Sequence, residues 1–184
     1  MIGFFSSPEI IIECIENNFI NFLDKTLYIS INENRCSHIL YGNNMFMHHN
    51  PLHNITHYEY YSRCVDRFKK LLQCKEYKLF IIFFPNNKNN DEQKENYKNI
   101  IIKFNKNFSK YVSNYTLLSI YHIQQLKQYN IIKKENNIDF LELHTLSLNN
   151  GKKFKLKTDN KYFNNIITNI KHANNCIKLG RIFF

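Results

Sequence analysis

Residues 77–84 read YKLFIIFF, apolar without a break from Leu79 onward and closed by Pro85 and an Asn-rich turn. A strand with one wet face alternates apolar and polar positions, so an unbroken short run that stops at a proline predicts a strand covered on both faces. Helical stripes flank it. Tyr61, Cys64, Val65, Phe68 and Leu72 recur at helical spacing before the run, with Arg63, Asp66, Arg67 and Lys70 on the other side. Tyr97, Ile101, Phe104, Phe108 and Tyr111 do the same after it, with Lys103, Lys106 and Lys110 opposite.

The rest of the chain fits around this unit. Ser7-Pro8-Glu9 has the chemistry of a helix start: a capping hydroxyl, a proline where no N–H is needed, and an acid at the positive dipole end. The stripe Ile11, Ile15, Phe19, Phe22, Leu23 predicts one helix ending near Asp24, and residues 26–31 have strand composition. Residues 32–57 show no period and read as a long loop, with one short strand at 39–41. Further strands are expected at 115–122 and 138–146, a short helix at 124–132, a turn at Asn149-Asn150-Gly151 with a short strand beyond it at 154–156, and a last amphipathic helix on Tyr162, Phe163, Ile166, Ile167 and Ile170. Alternating strands and helices predict an α/β fold over residues 1–184 as one domain: a mostly parallel central sheet with helices packed on it. The loops after Phe84, His122 and Thr145 would then share the sheet edge where such folds bind ligands.

Composition narrows the function classes. With 43% apolar residues, 16 Phe and 12 Tyr, the chain has the material for a sizeable core and is no disordered tail. Cys14, Cys36, Cys64, Cys74 and Cys176 are odd in number and lack ligand spacing, which points to thiols in a reducing compartment. The N-terminus lacks a signal-peptide pattern, and no apolar window is long enough to cross a bilayer, so the expected location is cytoplasmic, or host-cytoplasmic for a viral protein. The net charge of +10 sits entirely in residues 81–184; residues 1–80 carry eight basic and eight acidic side chains. A basic half admits an anionic ligand or nucleic acid, although no binding motif accompanies the lysines and a solvated face is favoured. Only four glycines occur, and there is no phosphate-cradling or dinucleotide motif, so no cofactor is expected.

Three places hold chemistry. Residues 45–53 contain His48, His49 and His53, with His57 beyond; Pro51 and the irregular spacing argue against a metal site. Arg63 and Arg67 are four apart and could jointly hold a carboxylate or phosphate, with Asp66 between them. His144, with Glu142 two residues before it, falls at the C-terminal end of a predicted strand, where a polar side chain hints at a site.

Several segments carry a family resemblance. They are Phe5-Ser6-Ser7-Pro8-Glu9, the helix with Asn18-Phe19 and Phe22-Leu23, the block 45–52 with His48-His49-Asn50, the helix from Arg63-Cys64-Val65-Asp66-Arg67-Phe68 to Leu72, and the strand 78–84. In order and spacing they resemble an uncharacterised family of papain-like cysteine peptidases from bacteria and giant viruses, over most of residues 4–146. The His-His block and the Arg-x-x-x-Arg-Phe helix are the most specific parts. The resemblance implies that His48 or His49 is the general base of a Cys-His centre, and it implies an antiparallel sheet where the alternation predicts a parallel one. The family's proposed nucleophile segment, which contains Gly and Cys and is followed by Pro-Phe-Asp-Trp, has no counterpart in Met1-Ile2-Gly3-Phe4. Without a thiolate the histidine has nothing to activate. The first expectation is therefore a shortened relative that has lost the nucleophile, or a fragment with a misassigned start, acting as a binding module. An active hydrolase with a histidine-centred site comes second, and a nucleic-acid-associated basic protein third.

Overall fold

The computed structural model describes residues 7–46, 49–125, 130–150, 153–173 and 178–183. The chain is an α/β protein whose central sheet is mostly parallel with helices packed on it. Where the sequence reads as one domain, the backbone groups into two compact units, Ile2–Cys74 and Lys75–Phe184.

In the first unit, α1 (Pro8–Glu16) is capped by the Ser7 hydroxyl, which accepts from the Ile10 N–H at 3.4 Å. The single helix predicted to Asp24 breaks, because Asn18 and Phe19 take left-handed φ values of 54° and 61°, and α2 (Ile20–Leu23) follows. A left-handed Phe is costly. Burial offsets that cost: the Phe19 ring is covered by edge-on contacts with Phe22 at 6.4 Å and Phe68 at 5.8 Å. The predicted long loop is largely sheet: β1 (Tyr28–Asn32), β2 (Arg35–His38) and β3 (Gly42–Phe46) pair antiparallel in that order. The strand expected at 39–41 is instead the turn between β2 and β3, where Gly42 holds φ 84°. Its anchor is His38, which reaches the Asn21 carbonyl through Nε2 at 3.0 Å, accepts the Leu40 N–H at Nδ1 and stacks on Tyr41 at 4.2 Å. Asn54 caps α3 (Ile55–Gln73), whose Cys64, Val65 and Phe68 are buried while Arg63, Asp66, Arg67 and Lys70 face water.

The second unit is built on β4 (Lys78–Asn87) and β5 (Tyr115–Gln124), which run parallel in register from Lys78↔Tyr115 to Phe84↔Tyr121. Around them lie β6 (Asn130–Glu135), β7 (Ile138–Thr145) and β8 (Lys178–Phe183), giving the order β6-β7-β5-β4-β8. Among the described strands of this sheet, β6 alone is antiparallel to its neighbour. Alternation along β4 sends Leu79, Ile81 and Phe83 to one face, against Ile167 and Ile170 of α5 (Lys157–Ala173). Phe80 and Phe84 go to the other, against Phe108 at 5.0 Å and Tyr97 at 4.3 Å of α4 (Asp91–Phe108). The doubly covered strand read from YKLFIIFF is thus present.

Two differences from the sequence reading matter here. The helix expected over 124–132 gives way to the end of β5 and the start of β6; residues 126–129 lie outside the described residues. A two-residue turn with Asn136 at φ 54° folds β6 back on β7. β8 was not anticipated, and residues 154–156 supply only an isolated bridge between Phe154 and Asn149. Gly151 of the predicted turn and Cys176 lie outside the described residues.

Leu118 is fully buried within the α5-side cluster. Leu118→Ala should lower stability by about 2–5 kcal/mol in urea unfolding followed by far-ultraviolet circular dichroism. A loss below about 1 kcal/mol would show that this cluster is not the core of the unit.

Candidate functional site

The C-terminal ends of β4, β5 and β7 share one edge, as the parallel pairing requires. Among the described residues, polar groups of that edge bond to one another. Asn86, at the irregularity near the end of β4 with φ 58°, donates from Nδ2 to the Asn149 carbonyl at 2.6 Å and accepts the Asn149 N–H at 2.8 Å. Asn87 donates to the carbonyls of Phe84 and His122, and Gln124 to that of Leu146. The fully buried His122 accepts the Asn86 N–H at Nδ1 (2.9 Å) and meets the Thr145 hydroxyl at Nε2 (2.7 Å). Thr145 gives its own proton to the Ser147 carbonyl at 2.8 Å, so His122 is a neutral Nε2–H tautomer. Ser147 in turn donates its N–H and hydroxyl to the buried Asp159, at 2.8 and 2.6 Å. Burial pushes the His122 imidazole down to about 4; the His144 charge acts in the same direction and the Asp159 charge against it.

Among the described residues, one open space lies on the α4 face. A parallel β5-to-β7 connection ordinarily crosses over through a helix. Here it returns through β6, and among the described residues α4 is the only helix of this unit on that face. Beside α4 is a cavity of about 500 Å³ over β5, β7 and β6. Its floor is aromatic, with Phe84, Tyr97, Tyr121 and Phe140; Tyr97 packs 5.4 Å from Tyr121. The Tyr121 hydroxyl reaches the Lys88 carbonyl and the Gln93 amide oxygen, and burial first, then Tyr97 and Glu142, pushes it up to about 12.

Charged groups line the walls. Lys94 pairs with Glu142 at 2.8 Å and, more loosely, with Asp91 at 3.5 Å. Lys98 lies 3.8 and 3.9 Å from Glu95 and Glu135, and Lys133 and Lys134 of β6 complete the rim. Behind Glu142 sits His144, with no exposed surface, its Nε2 2.6 Å from the Glu142 carboxylate and its Nδ1 2.8 Å from the Gln125 amide oxygen. Burial alone would raise the Glu142 carboxyl, but the hydrogen bonds and charges of Lys94 and His144 outweigh it and hold it below the ordinary value. Burial would likewise lower Lys94, and Glu142, helped by Asp91, more than reverses that.

Of the residues singled out by sequence, His144 is in this constellation, and His49, Arg63 and Arg67 of the first unit have partners of their own there. His48 lies outside the described residues. His49 packs against the rings of His57 at 4.8 Å, Tyr61 at 5.7 Å and Tyr60 at 5.8 Å. Arg67 donates to the Cys64 sulfur at 3.1 Å, whereas Arg63 pairs with Glu59 at 3.6 Å in an exposed i, i+4 contact. The two guanidiniums therefore have different partners, and Asp66 is exposed with no ion pair among the described residues. Cys14, Cys36 and Cys64 are buried. Burial, reinforced by the Glu13 charge and opposed by Tyr41, pushes the Cys14 thiol up to about 11, and burial also raises Cys36. No set of three metal-ligating side chains and no helix long and apolar enough to cross a membrane occurs among the described residues.

Sequence reasoning missed Lys94, Tyr97, Tyr121 and Phe140 because a helical stripe and apolar strands look like core wherever they point. The available signal was Glu142 and His144, two apart and therefore on one face of a strand. No protein-family model, curated protein or solved structure matches the chain.

His122 yields a pH prediction. Its folded value lies below the ordinary 6.5, so the unfolded chain takes up the proton first. Its contribution is complete above about pH 6.5 and is lost as pH falls from there toward about 4, up to about 3 kcal/mol in all. Urea midpoints measured from pH 7 to 4 should therefore fall more steeply for the native chain than for His122→Gln, whatever the variant's stability at pH 7. Parallel slopes would contradict the buried neutral imidazole.

Proposed function

We propose that this chain is a binding module that holds a small organic ligand in the cavity beside α4, and that it is not a working thiol peptidase. One observation carries the reading: an aromatic floor and a part-buried Lys94–Glu142 pair, backed by His144, share a cavity of about 500 Å³. Ligand sites combine mostly apolar walls with a few fixed polar groups in volumes of roughly 300–1,000 Å³. The ring faces supply contact area at little cost in side-chain entropy, and the charged pair supplies orientation.

The resemblance to papain-like cysteine peptidases fits this reading as a relative without the chemistry. A nucleophilic cysteine needs an accessible thiol that ionises near neutrality. Cys14 and Cys36 are buried and shifted the other way, which supports an inactive relative. Buried unbridged thiols at Cys14, Cys36 and Cys64 also support a reducing compartment such as the cytoplasm.

Saturation-transfer NMR against a library of small aromatic acids and amines tests the proposal. Binders are expected, weakened about tenfold or more by Tyr97→Ala, which removes one floor ring, and left unchanged by Lys103→Ala on the exposed side of α4. Circular dichroism checks that both variants fold. An absence of binders, binders indifferent to Tyr97, or peptide cleavage abolished by iodoacetamide would each overturn the reading.

A further inference from the structure

We infer that the ligand of this cavity is an aromatic zwitterion, a flat ring system bearing an ammonium and a carboxylate on one carbon, as in an aromatic α-amino acid. The inference rests on the reading of the cavity as a ligand site and adds the chemical class.

Charge balance is the first argument. The described lining includes four lysines and four acidic residues, with Lys134 turned to Asp139 at 3.9 Å, so neither sign is in large excess there. A ligand with a single charge brings an uncompensated charge into such a lining, whereas a zwitterion does not.

Geometry is the second. The least exposed charges are Lys94 and Glu142, with side chains 24% and 20% exposed and their charged atoms 2.8 Å apart. An anion approaching Lys94 meets Glu142 beside it, and a cation approaching Glu142 meets Lys94. A ligand whose opposite charges sit on one carbon presents them at a comparable separation. It can set its ammonium against Glu142 and its carboxylate against Lys94 at once, and each contact is then a charge-assisted hydrogen bond in a site partly shielded from water.

The supporting contacts suit that exchange. His144 holds the other oxygen of Glu142 at 2.6 Å from a position with no exposed surface, so the carboxylate stays in place when Lys94 tilts toward a ligand. Lys94 keeps Asp91, at 3.5 Å, as a loose second partner. The ring face of Tyr97, packed on Phe84 at 4.3 Å and Tyr121 at 5.4 Å, begins the apolar floor on which the ligand's ring would lie. The step is binding alone and breaks no bond.

Titration calorimetry of the full chain with four indoles that differ only in charge tests the class. They are tryptophan, tryptamine without the carboxylate, indolepropionate without the amine, and ethylindole with neither. Tryptophan should bind tighter than each of the others by about tenfold. In Glu142→Gln its advantage over indolepropionate should shrink to about threefold or less. Equal or tighter binding of tryptamine or indolepropionate by the native chain overturns the inference, and needs no variant to fold. If all four bind alike and Tyr97→Ala weakens them, the cavity remains a ligand site and the zwitterion falls. If none binds, the zwitterion also falls, and the fragment library decides separately whether the cavity binds anything.

Discussion

The structure of the second unit depends on the parallel pairing of β4 with β5, both buried along most of their length. Two adjacent strands without a wet face force covering layers on both sides. Leu79, Ile81 and Phe83 demand α5 on one face, and Phe80 and Phe84 demand α4 on the other. Because parallel strands need long connections, the same pairing also fixes which ends of β4, β5 and β7 lie together.

The cavity follows from how one of those connections is made. With β6 in place of a crossover helix, the chain extends the sheet rather than covering it. The α4 face over β7 and β6 is left with aromatic and charged side chains. At the other expected location, the strand-end edge, Asn86, Asn87, His122, Thr145 and Asp159 bond to one another's loops. Of these, His122, Thr145 and Asp159 are buried, and all five have partners within the protein, which leaves them little to offer a ligand. This distribution of satisfied and exposed polar groups favours the α4 face over the edge as the binding surface.

Much of this was legible in the sequence, and the failures have physical causes. Residues 77–84 and the stripe from Tyr97 to Phe108 were readable because burial on one or both faces imposes a period on composition. The break at Phe19 was not, since its left-handed backbone is sustained by ring contacts with Phe68, 49 positions away in the chain. β2 and β3 were hidden because His38, Gly42 and their neighbours lack strand composition; His38 is held instead by the Asn21 and Leu40 backbone. For the site, the adjacency of Glu142 and His144 followed from strand geometry. The approach of Lys94 did not, because it depends on how α4 lies across the sheet.

The most direct test is where a bound fragment perturbs the backbone amide resonances of the isotopically labelled chain. On this account, shifts concentrate in residues 91–98 of α4, 133–135 of β6 and 140–142 of β7, and the amides of Asn86, Asn87, Ser147 and Asn149 stay put. Shifts centred on those strand-end loops, or on His49 and the helix carrying Arg63 and Arg67, would contradict it.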